Sequence, residues 1–432
     1  MSTLGPSPLA AGEHQLAVSE ARAAIAARLR PPTKMQSVPL LQALGRVLAA
    51  DVVSPIDVPA HDNSAMDGYA FDGLALEADA PTLLDSVGIV YAGAPFTGPI
   101  GRGQCVRIMS GAVMPEGLDT VVPHELCDVV DDVQGETGHE KIRIAPGTLR
   151  PGDNRRHRGE DLSRGKPALL RGRRLRPADL GLLASLGIDR VTVFRPLRVA
   201  LFSTGDELRT LGQPLDAGCV YDSNRYSLMA ALQRLAVEVV DLGLVADDPV
   251  ALRATLSQAL TQADVVLTSG GVSMGDADHT RDVLAQVGEV AFWKVAMRPG
   301  RPFAFGPLAR PGADGPAWLF ALPGNPVAAL VTFYALVRDA LLTLAGAAPE
   351  PVPLLQARCA QAIRKRPGRT EFQRGVVEPD LKGGWQARLT GSQGAGVLRS
   401  MSEANALIVL GHDQGSVAQG DWVDVWLFEG IG

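Results

Sequence analysis

The spacing of apolar residues changes character three times along the chain, and each change predicts a different kind of structure. Residues 13–30 put Ala, Ile and Leu on one side of a helix. Leu41, Leu44, Val47 and Leu48 predict a second helix that starts near 40 and runs into a strand by 53. From 55 to 155 the apolar runs are short and turn signals recur, as in Ala92-Gly93, Thr97-Gly98-Pro99 and Pro115-Glu116-Gly117. That pattern predicts a β-rich insert. A basic, loop-like stretch from 150 to 176 follows, and Pro177 then opens a helix with Leu180, Leu183 and Leu186 on one face.

From about 197, apolar strands alternate with helices. Strands are predicted at 197–202, 237–245, 263–268, 291–297 and 316–322, and helices at 223–236, 249–262, 281–287 and 327–345. Such alternation predicts a mostly parallel sheet covered by helices. After Pro349-Glu350-Pro351 the pattern turns all-β, with strands expected at 353–360, 371–377, 385–390, 406–410 and 422–428. Five short strands predict a small barrel or sandwich.

The stretch richest in chemistry lies between the 263–268 strand and the helix after it: Ser269-Gly270-Gly271-Val272-Ser273-Met274-Gly275-Asp276-Ala277-Asp278-His279-Thr280. Glycines let the backbone approach a phosphate closely, and backbone N–H groups supply donors. Asp276 and Asp278 would repel that phosphate unless a cation lay between, which points to a phosphate held through a metal such as Mg²⁺. Glu207 and the pair Asp247-Asp248 also follow strand ends, where open α/β sheets bind ligands. Together these acids form a candidate metal set. The competing reading makes Asp247 or Asp248 the cap of the helix opening at Pro249, and Asp278 the cap of the next helix.

Lys294, Arg298 and Arg301 place three cations within eight residues around a Pro-Gly turn, a candidate oxyanion site. Leu322-Pro323-Gly324-Asn325-Pro326 leads a buried strand into a buried helix, whose N-terminus offers N–H groups to an anion. Asp62-Asn63-Ser64-Ala65-Met66-Asp67-Gly68-Tyr69 is compact and polar enough to face a substrate, or to be a plain turn.

The remaining features set limits. At 432 residues the chain predicts two to four domains. A 46% hydrophobic and 20% charged composition fits a globular protein. With a net charge of −6 and no long basic run, nucleic-acid binding is not expected, so an anionic ligand must rely on a local cation cluster. Cys105, Cys127, Cys219 and Cys359 show neither disulfide-scaffold nor zinc spacing, and no signal-peptide pattern precedes the first apolar run; a cytoplasmic protein is expected. The apolar residues 317–348 are broken by Pro323-Gly324-Asn325-Pro326, which predicts a buried core helix and no membrane span.

Several motifs, in order and over nearly the whole chain, resemble the MoeA family of molybdopterin molybdenumtransferases, to which the E domain of gephyrin is similar. They are DNSAMDGYA at 62–70, RIMSGAVMPEG at 107–117, RRHRGEDL at 155–162, STGDEL at 203–208, SGGVSMGDADHT at 269–280, FWKVAMRPGRPFAFG at 292–306, LPGNP at 322–326 and GRTEFQRG at 368–375. The resemblance implies a multidomain α/β and β fold. Residues 1–54 and 155–196 would form a linking α+β domain, 55–154 the β-rich insert, 197–347 a molybdopterin-binding α/β domain and 348–432 a C-terminal β-barrel. It implies a homodimer in which Asp67 and Ser110 of one chain face Glu207, Asp247, Asp278, Lys294 and Arg298 of the other. The implied reaction joins molybdate to adenylylated molybdopterin and releases AMP, with Mg²⁺ or another divalent cation on Glu207, Asp247, Asp276 and Asp278. Lys294, Arg298, Arg301 and Arg374 would receive molybdate. Asp161, Ser203, Thr204, Gly205, Ser269, Gly270, Gly271, Ser273, Gly275, Pro323, Gly324 and Asn325 would hold the rest of the substrate. Other proteins of molybdenum-cofactor biosynthesis are further expected partners. Alternative functions within the same fold are an adenylyltransferase, which is essentially the α/β domain alone, and a scaffold that has lost catalysis.

Overall fold

The computed structural model describes residues 15–32, 34–132, 140–271, 279–310, 312, 315–348, 350, 352–380 and 383–431. Its centre is a six-stranded sheet. In spatial order the strands are Glu238–Val245, Arg198–Thr204, Val265–Ser269, Ala317–Leu322, Pro302–Leu308 and Ala291–Lys294. The first four are parallel, and the last two run antiparallel to their neighbours. Alternation along a strand sends successive side chains to opposite faces. Val199 and Leu201 therefore join one core with the helices Ser223–Gln233 and Pro326–Thr332. Ala200 and Phe202 join the other, with the helices Pro249–Gln262 and His279–Val287.

The sheet departs from expectation at its antiparallel edge. The sequence reading places no strand at Pro302–Leu308, yet this segment pairs from Ala304↔Ala321 to Leu308↔Ala317 and buries Phe303 and Phe305. The expected strand at 291–297 divides in two. Ala291–Lys294 stays in this sheet, and Met297–Arg298 leaves it to pair in parallel with Thr370 and Glu371.

The C-terminal strands close on themselves. Thr370–Pro379, Trp385–Leu389, Leu355–Cys359, Trp422–Leu427 and Ala406–Leu410 pair in that order, and the last pairs back onto the first. The result is a five-stranded barrel with no free edge around its ring. The insert carries its own mixed six-stranded sheet, in which Gly68–Phe71 lies between Thr120–Pro123 and Gln104–Ile108. In the linking region, Met35–Pro39 pairs antiparallel with Arg190–Phe194, 155 residues further along.

The helix expected from 40 does not form beyond a single 3₁₀ turn, Leu40–Ala43. Leu44 turns extended, and the next N–H groups bond to other segments: Gly45 to the Leu175 carbonyl at 2.9 Å and Leu48 to that of Arg173 at 3.0 Å. Tertiary pairing has outcompeted the local apolar period. The long apolar helix Pro326–Leu344 forms as expected and is mostly buried, which marks a core helix. Its middle, Phe333–Val337, is a π-helical turn. There Arg22, from the Val18–Arg28 helix, donates its Nε to the Ala335 carbonyl at 2.6 Å while its guanidinium lies 5.1 Å from the centre of the Trp426 ring. One side chain thus ties the N-terminal helix, the core helix and the barrel together.

The basic stretch 155–158 is not a loose linker. Arg155–Arg156 pairs with Asn63–Ser64, and Arg155 bonds the Asp62 carboxylate. Asp62 also accepts the Arg158 N–H at 2.7 Å, and Asp57 accepts the Arg158 Nε at 2.7 Å and the Arg164 N–H at 2.7 Å. The Arg158 N–H first, then the Arg155 guanidinium, hold the Asp62 carboxyl below its ordinary value of 3.8 against the opposing effect of partial burial. A carboxylate with a depressed pKa contributes stability that is complete at neutral pH and is lost as pH falls through its folded value. Asp62→Asn should therefore lower stability by about 1 kcal/mol at pH 7. The difference from wild type should shrink as pH falls below 3.8 and vanish once the folded carboxyl is protonated. Urea unfolding across that pH range checks both, and an equal deficit at every pH would contradict the assignment.

Candidate active-site cleft

The carboxyl ends of the parallel strands open into a cleft of about 1170 Å³. Three strand-end loops build its floor. The first follows Arg198–Thr204. Ser203 is buried and donates its hydroxyl to Asp222 at 3.0 Å, and Thr204 faces the cleft with a buried Oγ1 that has no hydrogen-bond partner among the described residues. The second loop carries Ser269, Gly270 and Gly271. Gly270 has φ of +93°, and a β-carbon there would stand 2.2 Å from the Thr204 carbonyl oxygen. Only glycine fits between the two loops without strain. The third, 322–325, accepts the Gly270 N–H on the Leu322 carbonyl at 3.1 Å. Asn224 binds the last two together: its Nδ2 donates to Ser269 Oγ at 2.7 Å and to the Gly324 carbonyl at 2.7 Å.

Glu207 and Asp247 both line this cleft. Their loops are joined where the Asp247 N–H reaches Asp206 Oδ1 at 3.2 Å. The structure shows which of the two neighbouring acids caps the helix at Pro249. Asp248 is the cap, accepting the N–H groups of Val250 and Ala251 at 3.0 and 2.8 Å, while its neighbour Asp247 faces the cleft. Ser273, Gly275, Asp276 and Asp278 lie outside the described residues. Among the described residues no three of His, Cys, Asp or Glu converge on one metal position. Two carboxylates in an open cleft nevertheless suit a Mg²⁺ that takes its other ligands from substrate phosphate and water.

The opposite edge is cationic. Arg298 and Arg301 line the cleft as expected from the sequence, and Arg369 joins them from the barrel. A buried carboxylate organises this edge. Glu371 is 0% exposed, bonds Arg369 at 2.8 Å, stands 3.9 Å from Arg298 and accepts Gln373 Nε2 at 2.6 Å. Gln15, with its amide oriented to place the oxygen towards Arg301, accepts that guanidinium. Lys294 is half-buried on its strand, pairs across from Pro302 and does not line the cleft.

The barrel also supplies a wall, through Gln393, Gly394 and Ala395. Arg374 lies beneath that wall and not in the cleft surface. It is buried, donates to the carbonyls of Gly394 and Ser392 at 3.0 and 3.3 Å, and its N–H bonds Gln393 Oε1 at 2.7 Å. Burial first, and the Arg298 charge second, push its pKa down to about 10, so it stays charged at neutral pH. Ala395 closes the wall by accepting the Val327 N–H at 3.0 Å. The helix N-terminus at Pro326 therefore presents fewer free donors than its sequence implies, since proline has none and that of Val327 is taken.

Within one chain, the insert residues stand apart from this cleft. Asp67 is exposed and accepts the Ser110 N–H at 2.6 Å, and neither residue lines the cleft. Asp161 is exposed too, with its N–H on the Val58 carbonyl at 3.1 Å.

Arg369 and Asn224 were missed in the sequence. Asn224 sits in Asp222-Ser223-Asn224, which reads as a helix start, and Asp222 does cap that helix. Arg369 had a usable signal. Glu371 lies on a barrel strand whose alternation puts it on the same face as Val377 of the barrel core, and a carboxylate buried there requires a cation close by.

Fold and cleft together define a class: a parallel α/β domain that cradles an anionic ligand at its strand ends, with a β-barrel completing the cation edge. The comparisons with known proteins agree along the whole chain. Residues 16–187 match the model of the MoeA N-terminal region (domain I and II), 200–343 that of the probable molybdopterin binding domain, and 356–428 that of the MoeA C-terminal region (domain IV). The molybdopterin molybdenumtransferase of Haemophilus influenzae is 40% identical over 95% of this chain and 98% of its own length. That of Nostoc sp. is 38% identical over 86% of this chain and 84% of its own. The solved structure of the molybdopterin biosynthesis moeA protein from Pyrococcus horikoshii OT3 superposes with a TM-score of 0.79, at 26% identity, over 96% of this chain and all of that one. The chain belongs to the MoeA family of molybdopterin molybdenumtransferases, enzymes of molybdenum cofactor biosynthesis.

Gly270 provides a direct check on the floor of the cleft. Gly270→Ala should cost about 2 kcal/mol, since its φ is positive and its β-carbon meets a backbone oxygen. Thermal unfolding of the variant at the wild-type midpoint would mean that the loop is not packed as described.

Proposed function

We propose that this chain inserts molybdate into adenylylated molybdopterin, releasing AMP and water and leaving molybdenum on the dithiolene. The observation that carries the reading is that two carboxylates and three guanidinium groups share one cleft: Glu207 and Asp247 on one side, Arg298, Arg301 and Arg369 on the other. The substrates need both signs of charge. Molybdate is a dianion and suits planar arginine donors at the barrel edge. The substrate's phosphoanhydride is also anionic and suits the glycine loop at Gly270 and Gly271 beside the carboxylates. Glu207 and Asp247 would hold a Mg²⁺ whose charge offsets that of the anhydride. The protein's own part is to hold the oxometallate and the dithiolene end of the pterin next to each other while the anhydride lies on the floor.

The reading includes a homodimer in the cytoplasm. Asp67 and Ser110 lie on the insert, away from their own chain's cleft, so a partner chain's insert would have to bring them to it. The tight Asp67–Ser110 bond would present them as one unit. Chemical cross-linking of the full chain at micromolar concentration should trap a dimer.

Reconstitution with adenylyl-molybdopterin tests the chemistry. AMP release should require both molybdate and a divalent cation. Arg369→Ala should raise the KM for molybdate about tenfold or more, and should also lower the unfolding midpoint because it takes the nearest cation from the buried Glu371 carboxylate. AMP release at equal rates with and without molybdate would overturn the insertion reading.

A further inference from the structure

We propose that the wall formed by Val220 to Asn224 is the seat for the planar, amino-bearing heterocycle of the substrate, with Tyr221 as its stacking face and Asn224 Oδ1 as the acceptor for its N–H. This rests on the functional reading above, which supplies a ligand with two such rings, adenine and pterin. Tyr221 is the one aromatic side chain among the described residues lining the cleft. It is 41% exposed, so its ring is not used up by packing in the core. Its hydroxyl donates to the Gln213 carbonyl at 2.9 Å, which anchors the far end of the ring. The backbone beneath is held as well: Val220 and Tyr221 pair with Leu208 and Arg209, and the Val220 N–H bonds the Glu207 carbonyl at 2.9 Å. A pinned, partly exposed phenol is a stacking platform that costs little entropy to use.

The polar groups on this wall differ in what they have left to offer. Asp222 is 1% exposed and spent: Oδ1 accepts Ser203 Oγ and the Arg225 N–H, and Oδ2 accepts Arg225 Nε. Asn224 uses both Nδ2 hydrogens on Ser269 and Gly324, and its Oδ1 accepts nothing from the described residues. A side-chain carbonyl in that state recognises an exocyclic amino group or a ring N–H, which adenine and pterin both carry. The same amide steadies Ser269, the residue before Gly270, so the ring seat directly adjoins the loop assigned to phosphate.

Calorimetric titration of the full chain with AMP, purine riboside 5′-monophosphate and neopterin tests the seat. Tyr221→Leu should weaken whichever ring sits there by about tenfold, and Tyr221→Phe by no more than about twofold. A loss confined to AMP assigns the seat to adenine, and a loss confined to neopterin assigns it to pterin. Purine riboside 5′-monophosphate carries neither the 6-amino group nor a ring N–H. If adenine is the occupant, it should bind wild type about tenfold more weakly than AMP; equal binding would overturn the Asn224 contact. The proposal is overturned if Tyr221→Leu binds both AMP and neopterin as wild type does, or if wild type binds neither. Molybdate-dependent AMP release by wild type, measured alongside, separates the two claims. Its absence together with weakened binding in Tyr221→Leu would remove the reaction and keep the seat; its presence together with unchanged binding would remove the seat alone.

Discussion

Two residues of parallel pairing hold this active site together. Met297 and Arg298 leave the α/β sheet and add to the barrel beside Thr370 and Glu371, and the Thr370 N–H extends the join to the Ala296 carbonyl at 2.9 Å. Without that join the cation edge would be split, with Arg298 and Arg301 on one domain and Arg369 on another. With it, the buried Glu371 carboxylate can sit between Arg298 and Arg369 and offset their mutual repulsion. Three guanidinium groups in one cleft are otherwise unfavourable, and a buried carboxylate without them would be more so. Each domain thus supplies what the other needs to keep its charge in place.

The rest of the cleft follows from the parallel sheet. Strand ends that point the same way deliver their loops to the same side, so Thr204, Asp247 and Ser269 converge although up to 65 residues separate them in the chain. The loops are then locked to each other: Gly270 packs its backbone against Thr204 and Leu322, and the Asp247 N–H bonds the Asp206 carboxylate. Barrel and helix are joined by Ala395 and Val327, and behind the site Arg22 fastens the core helix to the barrel. Groups that must act on a small anion are carried by rigid neighbours, as positioning requires.

The sequence was most legible where burial is two-sided and periodic. Val199 to Phe202 alternate between two cores, and the helix at 249–262 announces itself through Asp248 and Pro249. The family resemblance rested on motifs in order; those of the α/β domain reach the strand-end cleft through Thr204, Glu207, Ser269, Gly270 and Gly324, and those of the insert do not. It was least legible where long-range pairing decides. The apolar spacing of Leu41, Leu44 and Leu48 suits a helix, but the N–H groups of Leu40, Gly45 and Leu48 are claimed by segments more than a hundred residues away. Pro302 and Pro307 hid a strand that pairs through the residues between them. Asp247 and Asp248 are indistinguishable in sequence, and only the geometry of the helix start separates cap from cleft. Arg374 and Arg369 lie five residues apart near one barrel strand, and which one reaches the cleft depends on strand direction and burial, which composition does not encode.

The central claim is that one cleft binds an oxometallate at its arginine edge while a nucleotide phosphate occupies its glycine floor. A crystal structure of the full-length protein soaked with molybdate and AMP, phased on the molybdenum anomalous signal, tests it most directly. The account predicts a single strong anomalous peak within hydrogen-bond reach of Arg298, Arg301 or Arg369, with the AMP phosphate beside Gly270 and Gly271. A molybdenum peak outside this cleft, or one displacing the phosphate from the glycine floor with the arginine edge empty, would contradict it.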